Sequence, residues 1–185
     1  LNINDTQYPS NIFSLWSASE KEAIGIYEVV FNYTNKKDEA YYINTNQSFA
    51  FADGVVTASF GTATAKLLED RNEVDEAGEP LLDDNGDQVV TKGLKTQKKE
   101  IIKQQASGLL TPTDWYVIKA TDVESYSVPS AITTFRTNVR TKSNTMETII
   151  DNASDVDALA TLYNHTEQPD GTHTRPLGEF PTLEV

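Results

Sequence analysis

The sequence predicts an α+β protein: a small, mainly antiparallel β-rich N-terminal region, then a helical hairpin or three-helix region and an extended tail. Three observations carry that expectation. Apolar residues follow a two-residue period up to about residue 70 and a period near 3.6 from Leu94 onward. Asp53-Gly54 stands between two runs rich in Phe, Val and Thr, the strongest hairpin signal in the chain. Ser17 and Glu20 have the spacing of a capping box, which marks a local helix start.

In chain order, the capping box opens one short helix, and Gly25 ends it before a strand over residues 26–31. The polar stretch Asn35-Lys36-Lys37-Asp38 connects that strand to another beginning at Tyr41-Tyr42-Ile43. Residues 49–52 and 55–60 are the arms of the Asp53-Gly54 hairpin. Residues 71–93 turn acidic and turn-rich, which reads as a linker or as a protruding hairpin with Leu81-Leu82 and Val89-Val90 on either side of Asn85-Gly86. Asp83, Asp84 and Asp87 invite a calcium loop, but Gly86 is misplaced and Leu94 stands where a bidentate Glu is needed, so no metal is assigned.

The helical region starts with residues 96–107, whose buried face is expected to use Ile101, Ile102 and Ala106. Gly108 suits the position after a helix end, and Pro112 then stops the helix from resuming. Trp115, Tyr116, Val117 and Ile118 form a run too brief for a helix, expected to plug the gap between two helices with Trp115 buried against Phe135. Pro129 precedes a second helix to about Asn152, with Ile132, Phe135, Val139, Met146 and Ile149 inward and a break near Ser143-Asn144. Ser154 is expected to cap a third helix carrying Val156, Leu159, Ala160, Leu162 and Tyr163.

The organisation that follows is a β-rich domain at 1–70, a linker or hairpin at 71–93, a helical domain at 94–166 and an extended arm at 167–185. Segment 71–93 and the arm combine turn residues with little apolar content. Their ordering entropy of about 1–2 kcal/mol per residue is then expected to be offset by neighbouring subunits, through strand addition at Leu81-Leu82 or Val89-Val90 and docking of Leu177, Phe180 and Leu183.

Composition narrows the chemistry. A net charge of −13 over 185 residues argues against nucleic acid, whose phosphates need a concentrated basic surface. The basic cluster Lys95, Lys98, Lys99 and Lys103 reads as a solvated helix face. With no cysteine, disulfides and thiolate catalysis are excluded. No apolar run reaches the roughly 20 residues of a membrane span, and no charged-then-apolar leader is seen. The first residue is Leu, so residues before it are expected to have been removed or to lie outside this sequence. Sequons at Asn4, Asn32, Asn46, Asn152 and Asn164 are chance matches in a chain rich in Asn, Thr and Ser.

Catalytic patterns are absent. His165 and His173 lie in the Pro/Gly-rich tail, and there is no G-x-S-x-G elbow, phosphate loop or H-E-x-x-H. The expectation is therefore a non-enzyme with no catalytic, cofactor or metal residues. The candidate structural and interaction residues are Trp16, Trp115, Phe135, Tyr41, Tyr42, Leu177 and Phe180. Tyr8, Tyr27 and Tyr33 join Tyr41 and Tyr42 in the β-region, where core packing and interface are both open, while Trp16 and Trp115 are expected to pack inside.

Two stretches resemble a known family. Tyr8-Pro9-Ser10-Asn11, Leu15-Trp16-Ser17, Glu20 and Ala23-Ile24-Gly25-Ile26 match the opening of many tailed-phage tail proteins. Leu109-Leu110, Thr113-Asp114-Trp115 and Phe135-Arg136-Thr137-Asn138-Val139-Arg140 occur in the order found in phage tail-fibre assembly and accessory proteins. The resemblance implies a tail or tail-fibre-associated structural subunit in the virion, made in the bacterial cytoplasm and joined to other tail proteins as a homo- or hetero-oligomer. Two further readings stay open: a dissociable tail-fibre assembly chaperone, and an adhesin module that binds a host-surface glycan.

Overall fold

The computed structural model describes residues 1–45 and 47–183, so the sequon at Asn46 and the last two residues of the arm lie outside the described residues. Strands and helices are both present, and the chain is α+β. It divides into two compact units, Leu1–Thr64 and the remainder from Ala65 onward. Residues 65–70, grouped by composition with the β-region, therefore belong with the helices.

The first unit opens with a two-residue antiparallel pair, β1 (Asn2–Ile3) and β2 (Thr6–Gln7). Two short helices follow, α1 (Ile12–Leu15) and α2 (Ala18–Glu22). The expected capping box forms in full: Ser17 Oγ accepts from the Glu20 amide, and Glu20 Oε2 accepts from the Ser17 amide at 2.8 Å. That backbone donor holds the Glu20 carboxyl below its ordinary pKa. Gly25 ends the segment at φ 86°, as its position after α2 requires.

The main sheet has three strands in the order β3 (Val29–Asn32), β6 (Val55–Ser59), β5 (Ser48–Ala52). Asp53 and Gly54 both have positive φ, at 51° and 79°, which is the primed turn an Asp-Gly pair favours. The turn sets β5 antiparallel to β6 with Phe49 opposite Ala58 and Phe51 opposite Val56. β3 pairs with β6 in parallel, Phe31 opposite Ala58. Of the strand predicted at 26–31, only its second half joins the sheet. Short β4 (Tyr42–Ile43) precedes β5, and the chain leaves the unit through β7 (Thr64–Ala65).

In the second unit, β8 (Arg71–Asn72) and β9 (Val90–Thr91) pair antiparallel at the base of an excursion. Residues between them make two successive tight loops of one design. Asp75 Oδ1 accepts from the amides of Ala77 and Glu79, and eight residues on Asp83 Oδ1 accepts from those of Asn85 and Asp87. Each loop closes through a glycine at positive φ, Gly78 or Gly86. The segment makes its own backbone and side-chain hydrogen bonds within the chain. Both strands of the protruding hairpin keep apolar residues exposed, Leu81, Leu82 and Val90 among them.

The helices are α3 (Leu94–Leu110), α4 (Asp114–Asp122), α5 (Ser130–Asp151) and α6 (Val156–Thr161), with a 3₁₀ turn at Thr111–Thr113. Four helices thus stand where three were expected, because residues 114–118 are helical after all. Gly108 lies inside α3 rather than beyond its end, and Pro112 sits in the first positions of the 3₁₀ turn, where its missing N–H costs nothing. Leu109 and Leu110 pack on the cluster of Ala106, Phe135 and Val139, which carries α3 past its glycine.

The start of α3 is completed from far away in sequence. The amides of Leu94 and Lys95 donate to the carbonyls of Leu67 and Leu68, and that of Gly93 to Asp70 Oδ1 at 2.8 Å. These are donors a helix cannot satisfy itself. A Cβ at Gly93 would collide with the Glu69 carbonyl, which explains the glycine.

α3 and α5 run antiparallel. Down α5, Ile132, Phe135, Val139, Ser143, Met146 and Ile150 are buried at three- and four-residue steps; Ile150 takes the place expected of Ile149. The helix does not break at Ser143-Asn144: Ser143 and Met146 continue its buried stripe, and nearby threonines turn their hydroxyls to carbonyls four residues back, Thr145 to Thr141 and Thr148 to Asn144. On α3, Ile102 and Ala106 are buried but Ile101 is exposed. Lys95, Lys99 and Lys103 are not a simple solvated face. At four-residue spacing they meet Glu69, Asp151 and Glu147, and Lys95 is only 7% exposed.

α6 is capped by Asp155, whose Oδ1 accepts from the Ala158 amide, and not by Ser154. The arm then forms a hairpin of β10 (Thr166–Glu167) and β11 (His173–Thr174). Its continuation docks on its own helices. The Leu177 amide donates to Leu162 O, its side chain is fully buried, and Phe180 and Leu183 lie on the Ala106–Phe135–Val139 cluster.

Candidate interaction surfaces

Of the seven candidate residues, five are core. Tyr41, Tyr42, Phe135 and Leu177 are buried, and Phe180 is half-buried on the helical cluster. Burial raises the Tyr41 phenol above its ordinary pKa, and the Asp38 carboxylate adds to the rise. Trp16 is half-buried and meets Tyr8 edge to face at 5.8 Å. Trp115 reverses the expectation of burial: it is 51% exposed and does not join Phe135 in the core.

The reason lies in the residues around it. Arg136 Nη1, on α5, donates to Leu110 O at 3.1 Å, Thr113 Oγ1 at 2.5 Å and Asp114 Oδ1 at 2.7 Å. One guanidinium thus holds the end of α3, the 3₁₀ turn and the first residue of α4, and its side chain is only 12% exposed. With Asp114 turned to α5, the helical step directs Trp115 and Ile118 elsewhere. α4 has no buried residue, and Trp115, Val117 and Ile118 are all exposed. The Trp115 and Tyr116 rings lie 3.8 Å apart, and Lys119 lies 5.8 Å from the Trp115 ring and 4.4 Å from that of Tyr126. Chemically this is a short helix held at its first residue, with an aromatic and aliphatic face open to solvent.

Beside the clamp, Lys103, Ser107, Asp114, Arg136, Arg140 and Glu147 line a groove of about 560 Å³ between α3 and α5. Two charge pairs lie within it, Arg136 with Asp114 and Lys103 with Glu147, while Arg140 Nη1 donates to the Arg136 carbonyl.

In the first unit the sheet carries the second surface. The register places Phe31, Ala58 and Phe49 in one row and Val29, Val56 and Phe51 in the next, all on one face. Ala58 is buried, whereas Phe31, Phe49 and Phe51 stay exposed, Phe49 at 64%. Tyr27 meets Phe51 at 4.6 Å and Phe31 stacks on Tyr33 at 6.0 Å. These phenylalanines were absent from the candidate residues. The two-residue step between Phe49 and Phe51 does put them on one face, but no sequence pattern tells whether that face is covered.

Among the described residues, no group of three metal-ligating side chains occurs and no helix is long and apolar enough to cross a membrane. The chain matches no protein-family model, no curated protein and no solved structure.

Proposed function

We propose that this chain is a non-enzymatic bacteriophage virion protein, a tail or tail-fibre-associated subunit that acts through protein–protein contacts, with α4 as one of them. The observation that carries this reading is the division of labour within Thr113-Asp114-Trp115. The first two residues are held by Arg136, while the third is left in solvent beside Ile118. Trp is the side chain most often found at the energetic centre of interfaces, and an anchored helix loses little entropy on docking. The resemblance of both stretches to tail proteins supplies the setting, and its Arg136 is the residue that makes the clamp.

Mass spectrometry of purified particles tests the reading. The chain is expected in washed virions, and Trp115→Ala with Ile118→Ser is expected to reduce its incorporation while the protein still folds. Presence in the infected-cell lysate with absence from particles would favour the dissociable chaperone instead.

A further inference from the structure

We propose that β5 pairs with β5 of a second copy of this chain, antiparallel about Ala50, to make a continuous six-stranded sheet. The inference goes beyond the tail assignment and holds or fails without it.

β5 is an outer strand: among the described residues it is hydrogen-bonded only to β6. Ala52 and Val55 flank the two-residue turn, so Ala52, Ala50 and Ser48 direct their backbone groups to β6. By alternation, Phe49 and Phe51 point their N–H and C=O to the open edge. In the antiparallel register with its two-fold axis at Ala50, Phe49 lies opposite the second copy's Phe51, and each such pair exchanges both hydrogen bonds. The residues with free backbone groups are thus the ones that meet, and their exposed rings fall together on one face.

The edge lacks the usual defences. Ser48-Phe49-Ala50-Phe51-Ala52 has no charge, no proline and no bulge, which outer strands ordinarily use to prevent pairing. The next residue along, Asp53, would face the uncharged Gln47 of the second copy, so no like charges oppose. The other outer strand differs: β3 follows Glu28, and at its last residue Asn32 Oδ1 takes the Thr34 amide in a turn. Self-pairing of β5 also gives a closed two-fold assembly, since each copy offers one such edge.

Ala50 provides the test, because the two copies of this residue would be directly opposed with side chains about 5 Å apart and outside the hydrogen-bonded pairs. Sedimentation equilibrium of the full chain at tens of micromolar should give about twice the 20.5 kDa monomer mass. Ala50→Lys and Ala50→Glu should each shift the protein to monomer with unchanged circular dichroism, and mixing them one to one should restore the dimer. In the wild type, hydrogen exchange at the Phe49 and Phe51 amides should slow as concentration rises. A wild-type monomer overturns the proposal, and so does a dimer indifferent to Ala50→Lys. If the variants misfold, the exchange experiment decides alone: amides at 49 and 51 that exchange equally at every concentration overturn it, including the case in which a foreign strand occupies the edge.

Discussion

The two units place their apolar side chains differently. In the second, three- and four-residue steps along α5 lead inward, and Val139, Met146 and Ile150 are fully buried. The first unit has an equally regular two-residue step, Phe49 to Phe51 with Val56 and Ala58 beside it, yet both phenylalanines remain exposed. Ile12, Tyr41, Tyr42 and Ala58 make up its buried apolar residues among those described. Periodicity marks a face in both units. Only a second layer of chain turns such a face into a core, and the sheet of the first unit has no long helix of its own to cover it.

The sharpest way to break this comparison is to truncate one side chain in each unit. Met146→Ala should cost about 2–5 kcal/mol, the usual penalty for a large side chain removed from a packed core. Leu15→Ser, at a side chain 74% exposed, should stay within about 0.5 kcal/mol. Denaturant unfolding measures both. A large loss for Leu15→Ser would show that the first unit hides its apolar residues in solution.

Next in size is the clamp. Arg136→Ala should cost about 1–3 kcal/mol, because Thr113 Oγ1 and the Leu110 carbonyl lose a partly buried donor. Arg136→Lys should recover only part of that, since the shorter lysine stem must carry its ammonium to the point where Nη1 alone meets all three acceptors. Full recovery by lysine, read from thermal melting, would reduce the clamp to simple charge pairing.

Local signals were legible in the sequence and distant ones were not. The capping box at Ser17 and the turn at Asp53-Gly54 depend on neighbouring residues, and both form as the sequence implies. Gly108 misled: a glycine before Leu109-Leu110 fits a helix end, but those leucines pack on Phe135 and Val139 and α3 extends beyond it. The apolar run at Trp115 suggested a buried plug, and nothing local showed that Arg136, more than twenty residues on, would take Thr113 and Asp114 and leave Trp115 out. Nor could composition reveal that Leu177 finds its partner at Leu162, or that residues 67–70 complete the start of α3.

Gly108 also supplies a prediction of opposite sign from the two readings. Inside a helix, with no side-chain neighbour where its Cβ would fall, Gly108→Ala should stabilise by about 0.5–1 kcal/mol. Past a helix end in the left-handed conformation the same change would destabilise. Thermal melting of this one variant therefore decides where α3 stops.

The smallest expected effect concerns pH and the start of α3. The Asp70 carboxyl is held below its ordinary pKa, first by the Gly93 amide, then by the Thr96 hydroxyl, with Lys99 and Lys92 adding. A carboxyl with a lower pKa in the folded state than in the unfolded chain stabilises the fold above its unfolded value, and that stabilisation is lost as pH falls through the folded value. Melting temperature should therefore decline below about pH 4, the ordinary aspartate range. Asp70 is exposed, so the decline should be shallow and weaker at high salt. Asp70→Asn keeps an acceptor for the Gly93 amide but cannot titrate, so it should flatten part of the decline while changing the melt near pH 7 very little. Asp83 and Glu73 are also held low and titrate in the same range, which leaves a residual slope in the variant. An acid limb identical in Asp70→Asn and the wild type would mean that this distant cap contributes nothing to holding residues 67–70 on α3.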